Sequence, residues 1–215
     1  MSAERPKGFC VRKISCPGLS LIMVKTIKTG LLIDYSGIYN RVVCKANNLE
    51  PTITIKQGCA FAQKVISVWK KKNGSEVFRE ISNVLGLAWE RQVVDVYVVQ
   101  DTIPFGPPIT IPMTRSMKDI RFILIHELIH QILIYHNIAN SVRLKYMKKY
   151  EIPSKAADHI LLCAVEKQVI LNIFGESDLL YIIKRESGLH NDYKMAWDIV
   201  NKEGAKNIIK ECIKK

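Results

Sequence analysis

The stretch ILIHELIHQIL, residues 123–133, places three ionisable side chains inside an apolar run. These are His126, Glu127 and His130. All remaining positions of the stretch except Gln131 are Ile or Leu, a pattern that predicts a helix buried on all sides. An unpaired carboxylate in a protein core costs several kcal/mol. The folded chain must therefore supply something that compensates these groups.

Two histidines four residues apart lie one turn apart on the same face of an α-helix. His126 and His130 can therefore direct their imidazoles to one point, with Glu127 about 100° round the helix beside that point. Zinc hydrolases have this arrangement: two imidazoles and a third protein ligand hold the ion, and a water takes the open position. The pattern predicts one zinc ion, His126 and His130 as ligands, and Glu127 as the general base that activates zinc-bound water.

The third metal ligand is expected on the next long apolar segment, AADHILLCAVEKQVILNIF, where His159, Cys163 and Glu166 share one helical face. His159, near the predicted helix start, would complete a three-histidine site and is the preferred candidate. Glu166 is the alternative and would give two histidines and a glutamate. Cys163 is interpreted as a packing residue. His136 could reach the metal only if the helix ended before it.

The order of the predicted elements, strands first and helices later, indicates an α+β fold. Residues 1–20 are expected to form an irregular N-terminal extension, and residues 21–215 a single domain. LSLIMVKTI and GLLIDY predict two strands around a turn, and the valine-rich VVDVYVVQ predicts a central strand. ITIPM predicts a short strand that Pro112 confines to the edge of the sheet.

Helical periodicity is found both before and after the predicted central strand. KQGCAFAQKVISVWKKK and SEVFREISNVLGLAW predict two amphipathic helices, the second with Ser75 as its N-cap. A longer helix is expected from Ser116, its predicted cap, to Tyr135, with Asp119 in the first turn. Further helices are predicted at residues 154–174, 177–185 and 191–203, followed by a short tail.

The composition limits the classes of partner and the cellular compartment. A net charge of +12, from 32 Lys+Arg and 20 Asp+Glu, would attract nucleic acid or acidic protein surfaces, but the lysines are scattered over what read as solvated helix faces. Six cysteines without a CxxC pair indicate reduced thiols. Without a signal-peptide pattern or an apolar run of about 18 residues, the expectation is a cytoplasmic protein that does not enter a membrane.

The segment ITIPMTRSMKDIRFILIHELIHQIL resembles the edge strand and active-site helix of zincin metallopeptidases. DHILLCAV and DYKMAWDIVNKEGAKNIIKE look similar to parts of small, uncharacterised archaeal proteins of the minigluzincin type. The resemblance implies a zincin-like fold, in which a small twisted sheet packs its edge strand on the HExxH helix, with a helical C-terminal part. It also implies zinc bound by His126 and His130, and Glu127 as the base.

The resemblance also bears on substrate binding. In zincins the edge strand binds an extended peptide by strand addition, through main-chain hydrogen bonds that tolerate many sequences. It therefore implies that Ile109, Thr110 and Ile111 bind the substrate, which would be a peptide or protein.

Two family patterns differ at the third ligand. The gluzincin pattern requires a Glu there, whereas Asp158-His159-Ile160 matches the archaeal proteins. In the metzincin pattern a Gly turns the chain so that a third histidine reaches the metal. Here Leu133 replaces that Gly before His136, which favours an unbroken helix and disfavours a metzincin.

Two functions from different classes follow from these patterns. The first is zinc-dependent hydrolysis of peptide bonds, with Tyr135, Tyr181 or Tyr193 as candidates for stabilising the oxyanion. The alternative is a zinc-stabilised, non-catalytic basic module that binds nucleic acid or a protein partner. A combination of both, resembling the SprT-like DNA-associated proteases, ranks below the plain peptidase because the sequence shows no zinc ribbon or other dedicated DNA-binding element.

Overall fold

The computed structural model describes residues 30–71, 74–90 and 93–213 of the chain. The predicted extension at residues 1–20 and the strand predicted over LSLIMVKTI lie outside these ranges. Within them the chain is a mixed α+β protein that is mostly helical and has a small parallel sheet. The predicted α+β class is therefore confirmed.

The sheet of the described residues has three parallel strands in the order β1-β2-β3, which are β1 Gly30–Asp34, β2 Val93–Val99 and β3 Ile109–Pro112. As predicted, the valine-rich β2 is central and the strand that contains Pro112 lies at an edge. Residues 100–108 suffice to connect β2 to its parallel neighbour. β3 begins beside Val96, three residues before the end of β2 at Val99. The connection therefore has to run back along the strand direction by only about 10 Å.

Between β1 and β2 the described residues form one more helix than predicted. The three helices are α1 Gly37–Ala46, α2 Ile55–Lys71 and α3 Gly74–Leu85. The sequence prediction missed α1, whose N-terminus is capped by Ser36. Its buried face includes the polar Asn40, which interrupts the apolar stripe by which a helix is recognised.

The second and third helices follow the predicted pattern except at their ends. α2 begins one residue before the predicted segment and ends at Lys71, and the last predicted residue, Lys72, lies outside the described ranges. α3 begins at Gly74, so Ser75 lies inside the helix and is not its cap as predicted. The predicted continuation to Trp89 is also wrong: Gly86 has a φ of 64°, which ends the helix.

Helix α4, Met117–Tyr135, carries the HELIH motif and has the predicted bounds. Ser116 caps it, since the Ser116 side chain accepts a hydrogen bond from the Asp119 backbone N–H at 3.1 Å. From Ile120 to Leu133 its apolar residues are buried on every side of the helix. The motif therefore lies in the protein interior, as its surroundings in the sequence predict.

The C-terminal part is helical: α5 Ala139–Tyr150, α6 Ser154–Phe174, α7 Glu176–Leu189, α8 Asn191–Glu203 and α9 Ala205–Cys212. α6 and α8 have the predicted bounds. α7 continues past its predicted end at Arg185 and ends at Leu189. The sequence prediction missed α5, since this polar, basic helix buries only Val142 and Tyr146 and shows no apolar stripe.

Helices α4 and α6 hold the two parts of the fold together. α4 packs on β3 and α2 on one side and on α5 and α6 on the other, while α6 also contacts α3, α7, α8 and α9. A shared core cluster of buried apolar residues runs through strands and helices alike. Any side chains on facing surfaces of α4 and α6 are thus held in a rigid, dry environment.

Among the described residues, no single helix combines the length and the apolarity that a membrane span requires. α4 and α5 meet the requirement only as a pair, and this pair is bent by 100° at its junction.

Gly58 in α2 provides a test of the contact between that helix and the residue after β1. A Cβ atom at position 58 would lie 2.3 Å from the Tyr35 ring, which is itself buried. We expect Gly58→Ala to lower the free energy of unfolding by about 1–3 kcal/mol through overpacking. The measurement is urea denaturation followed by circular dichroism. Gly188→Ala is the matched control, because Gly188 is also helical and has no atom within 4 Å of its Cβ position. Equal stability of the two variants would contradict this packing.

Candidate metal centre

Three histidines from two helices meet at the contact between α4 and α6. One ligand atom from each of His126, His130 and His159 lies within 4.8 Å of the others. The ring centroids are 5.0 Å apart for His126 and His130, 5.5 Å for His126 and His159, and 5.4 Å for His130 and His159. Imidazoles bound to one tetrahedral ion at about 2.0–2.1 Å have centroids about 5 Å apart. The three rings are therefore spaced as a single metal ion requires.

The tautomer of His159 is set by a hydrogen bond within α6. The His159 Nδ1 atom lies 2.6 Å from the Lys155 carbonyl oxygen. Because a carbonyl oxygen only accepts hydrogen bonds, Nδ1 carries the proton and Nε2 keeps its lone pair. A backbone carbonyl on the second ring nitrogen is the usual support of a metal-binding histidine.

Two buried carboxylates lie behind His126. The His126 Nδ1 atom is 3.5 Å from Glu166 Oε2 and 3.4 Å from Glu186 Oε1, and all three side chains are buried. Glu186 is held in place because its Oε2 accepts a hydrogen bond from the Trp197 indole N–H at 2.8 Å. Within the described part of the chain, His126 Nδ1 and both Glu166 carboxylate oxygens lack a hydrogen-bond partner of good geometry.

Together with His126, the two carboxylates of Glu166 and Glu186 form a second group of side chains that could hold a cation. The two sets share His126. If Nδ1 faces the carboxylates, Nε2 is the nitrogen left for an ion shared with His130 and His159. Glu166 is then a neighbour of a ligand and not the third ligand itself.

Burial and neighbouring charges shift the pKa values of the histidines in opposite directions. Burial alone would lower the pKa of His126, but contacts with Glu166 and Glu186 outweigh it and raise that pKa well above its usual range. Burial and the nearby His126 lower the pKa of His130 well below its usual value and that of His159 to about 4. His130 and His159 are therefore neutral at pH 7, which is the form that binds a metal.

The carboxylates respond to burial in the opposite sense. Burial raises the pKa of Glu127, and burial together with the charge of Glu186 raises the pKa of Glu166 to about 7. Both shifts favour the neutral carboxyl, because burial penalises its charged form. A divalent cation at the three histidines would favour the charged carboxylates instead.

A pocket of about 220 Å³ opens onto this centre. His126 and Glu127 form part of its lining, as does Tyr193 from α8, whose ring centroid lies 4.5 Å from that of His159 and 5.8 Å from that of His126. Burial raises the pKa of Tyr193, so its phenol is a hydrogen-bond donor at neutral pH. Glu127 and Tyr193 thus share one cavity next to the candidate metal ligands.

Three other residues considered for the site have hydrogen-bond partners outside the pocket lining, unlike Tyr193. The Tyr135 hydroxyl bonds to Glu90, and the Tyr181 hydroxyl bonds to Asp119 at 2.8 Å. His136 ends α4 and places its Nε2 atom 2.9 Å from the Ala88 carbonyl oxygen, since the helix continues through Leu133. None of these three residues is part of the pocket lining that the described residues form beside the metal centre.

The predicted substrate strand has a different environment from the pocket. Ile109, Thr110 and Ile111 are fully buried and are not part of the described pocket lining, which includes Ile103 and Pro104 from the connection between β2 and β3. The Thr110 N–H donates to the Phe105 carbonyl at 2.7 Å, and the Phe105 N–H donates to the Thr110 carbonyl at 3.3 Å. A peptide that adds to β3 at Thr110 would have to displace Phe105.

Sequence reasoning missed Glu186. Its predicted helix ended at Arg185, four residues before the end of α7 at Leu189, and so did not include Glu186. The available signal was its spacing: Leu179, Ile182 and Glu186 form a buried stripe at helical intervals. The contact with His126 is long-range and has no local signature.

Comparisons with models of known protein families, with curated proteins and with solved structures give no significant match for this chain.

Proposed function

We propose that this chain is a zinc-dependent peptidase of zincin-like architecture, in which His126, His130 and His159 hold the ion and Glu127 is the general base. The observation that carries the proposal is the meeting of three imidazoles beside a pocket that also contains a buried carboxylate. In a structural zinc site, four protein ligands usually surround the ion. Three ligands and an adjoining cavity are typical of a catalytic site.

Zinc, when bound, supplies a Lewis acid for the substrate carbonyl and lowers the pKa of water to near neutrality. The residues of the chain supply the remaining functions. Glu127 follows His126 directly in α4 and lines the pocket, so its carboxylate is placed to accept a proton from the attacking water and pass it to the leaving amine. Burial of Glu127 keeps bulk water from competing for that proton.

Tyr193 is proposed as the donor that stabilises the developing oxyanion. Its ring lies against His126 and His159, and it lines the same pocket as Glu127. A phenol O–H in a partly dry site is a suitable hydrogen-bond donor for negative charge that develops on a carbonyl oxygen. Of the three tyrosines considered, only Tyr193 is part of that lining as the structure describes it.

Glu186 is proposed as a positioning residue that acts through His126. The contacts run from the Trp197 N–H to Glu186 and from Glu186 to the His126 Nδ1 atom. A carboxylate on the second nitrogen of a metal-binding histidine fixes its orientation and raises its basicity. Glu166, on the same nitrogen, adds negative charge that favours a bound cation.

Trp197 tests this supporting role. We expect Trp197→Phe to weaken zinc binding about tenfold, because it keeps an aromatic ring in the core and removes the hydrogen bond to Glu186. Competition with a chelating dye measures the dissociation constant. Trp89→Phe is the matched control: it removes an indole hydrogen bond of 2.9 Å to the Phe78 carbonyl, and Trp89 is not part of the described metal centre. An equal effect of both variants on zinc affinity would contradict the proposed support.

The proposed activity is tested with a mixture of random-sequence peptides. Products are identified by mass spectrometry for the zinc-loaded protein, the protein stripped by a chelator, and the stripped protein after zinc is restored. We expect new peptide termini in the first and third samples only. Absence of cleavage by protein that contains zinc would overturn the peptidase proposal and favour the zinc-stabilised binding module. A steep fall of DNA binding with salt would then identify phosphate contacts.

A further inference from the structure

Three cationic side chains from separate elements line the pocket beside the metal centre. Arg115 precedes the cap of α4, Lys155 lies in the first turn of α6, and Arg185 lies in α7. The remaining lining is partly apolar, with the exposed Ile103 and Leu189, and partly ionisable: His126, Glu127, Glu186 and His190. A pocket with this lining binds best a ligand that has both an anionic group and an apolar body.

Two of these cations are anchored close to the metal ligands. The backbone carbonyl of Lys155 holds His159, so this lysine starts one helical turn, about 6 Å, from a candidate ligand. Arg185 immediately precedes Glu186, which contacts His126. The Arg185 Nε atom also forms an ion pair with Asp119 Oδ1 at 2.7 Å, which holds the guanidinium in place.

Carboxylates compensate the cations of the pocket only in part, since Arg185 is paired with Asp119. Glu186 is already engaged by Trp197 and His126, and Glu127 is buried beside the metal centre. Across the described residues, neither Arg115 nor Lys155 has a carboxylate within ion-pair distance, and both side chains are exposed. Arg115 and Lys155 therefore line the pocket without an ion-pair partner among the described residues.

We propose that Arg115, Lys155 and Arg185 form a subsite for a carboxylate of the peptide substrate, either an acidic side chain or a free C-terminal carboxylate. This inference rests on the proposed peptidase function and specifies its substrate class. An extended peptide advances about 3.3 Å per residue, so a lysine anchored about 6 Å from His159 reaches a carboxylate two or three residues from the reacting bond.

The test uses three hexapeptides of one apolar sequence that differ only in the last residue. The first ends in a Gln carboxamide, the second in a Glu carboxamide, and the third in Gln with a free carboxylate. Their binding to zinc-loaded Glu127→Gln protein is measured by isothermal titration calorimetry, so that no peptide is consumed. We expect at least one acidic peptide to bind about tenfold more tightly than the neutral peptide in low salt, since cationic side chains form charge-assisted hydrogen bonds with a carboxylate. The second and third peptides distinguish the two sources of the carboxylate.

The double substitution Arg115→Gln/Lys155→Gln should abolish this preference. Arg41→Gln/Lys206→Gln removes the same two charges at exposed positions that are not part of the described pocket lining, and it should keep the preference. Equal binding of all three peptides, a preference that survives loss of Arg115 and Lys155, or absence of binding at millimolar concentration would overturn the inference.

Failure of this inference is distinguishable from failure of the proposed function. Cleavage of neutral and acidic peptides at equal rates by the wild type, with no cleavage by Glu127→Gln, would keep the peptidase and remove the carboxylate subsite. A carboxylate preference in binding, without cleavage by the zinc-loaded wild type, would keep the subsite and remove the peptidase.

Discussion

His159→Ala is expected to release zinc from the protein. The wild type should carry about one ion per chain after dialysis, and His159→Ala less than about a tenth of that, because catalytic zinc sites use three protein ligands and two alone do not retain the ion. His130→Ala should behave in the same way, since the three rings are spaced about equally. Mass spectrometry of the metal content, with circular dichroism to verify folding, provides the measurement.

The same measurement on Glu166→Gln decides which residue is the third ligand. The structure places Glu166 at the Nδ1 side of His126, so this substitution should leave the zinc in place and weaken its binding about 10- to 100-fold. His136→Ala is the matched histidine control, because His136 bonds to the Ala88 carbonyl and is not part of the described pocket lining. Loss of zinc in Glu166→Gln with retention in His159→Ala would reverse the assignment of the ligands.

Glu127→Gln is expected to abolish most of the proposed activity while the protein keeps its zinc. Removal of a general base typically lowers turnover about 10²- to 10⁴-fold. Glutamine has nearly the same shape as glutamate, so the buried position next to His126 remains filled. Initial rates on a peptide found in the random-sequence screen, together with zinc content, separate a catalytic effect from loss of the metal.

Glu90→Gln is a suitable control because it also removes one carboxylate, and Glu90 is not part of the lining that the structure gives to the pocket beside the metal centre. Its rate should match that of the wild type. If Glu127→Gln retained more than about a tenth of the wild-type rate, with full zinc content, Glu127 would not be the base.

The structure confirms the parts of the fold that depend on local patterns. α4 begins after Ser116 and ends at Tyr135, as the cap and the apolar run predict. β2 is the central strand and β3 an edge strand, as their valine content and Pro112 predict. In contrast, α1 and α5 were missed, since a buried Asn40 and a mostly polar surface remove the apolar stripe on which a helix prediction depends.

Some residues of the candidate site could likewise be predicted from local patterns, and others could not. The juxtaposition of His126 and His130 with Glu127 is a property of one helix, because the residues are within one turn of each other. Two residues on α6, His159 and Glu166, remained alternatives in the sequence, since both share a face that can turn toward α4. Glu186 and Trp197 lie on α7 and α8, and no local pattern connects them with the motif.

By itself the sequence determined that a buried helix presents two imidazoles and a carboxylate, since helical geometry and the cost of burying polar groups act over a few residues. Only the tertiary structure decided that His159 lies beside His126 and His130, and that Glu166 and Glu186 lie beside the Nδ1 atom of His126. It also decided that Tyr193, Arg115, Lys155 and Arg185 share one pocket. The physical reason is that the packing of α4, α6, α7 and α8 depends on contacts between residues far apart in the chain, which no local periodicity records.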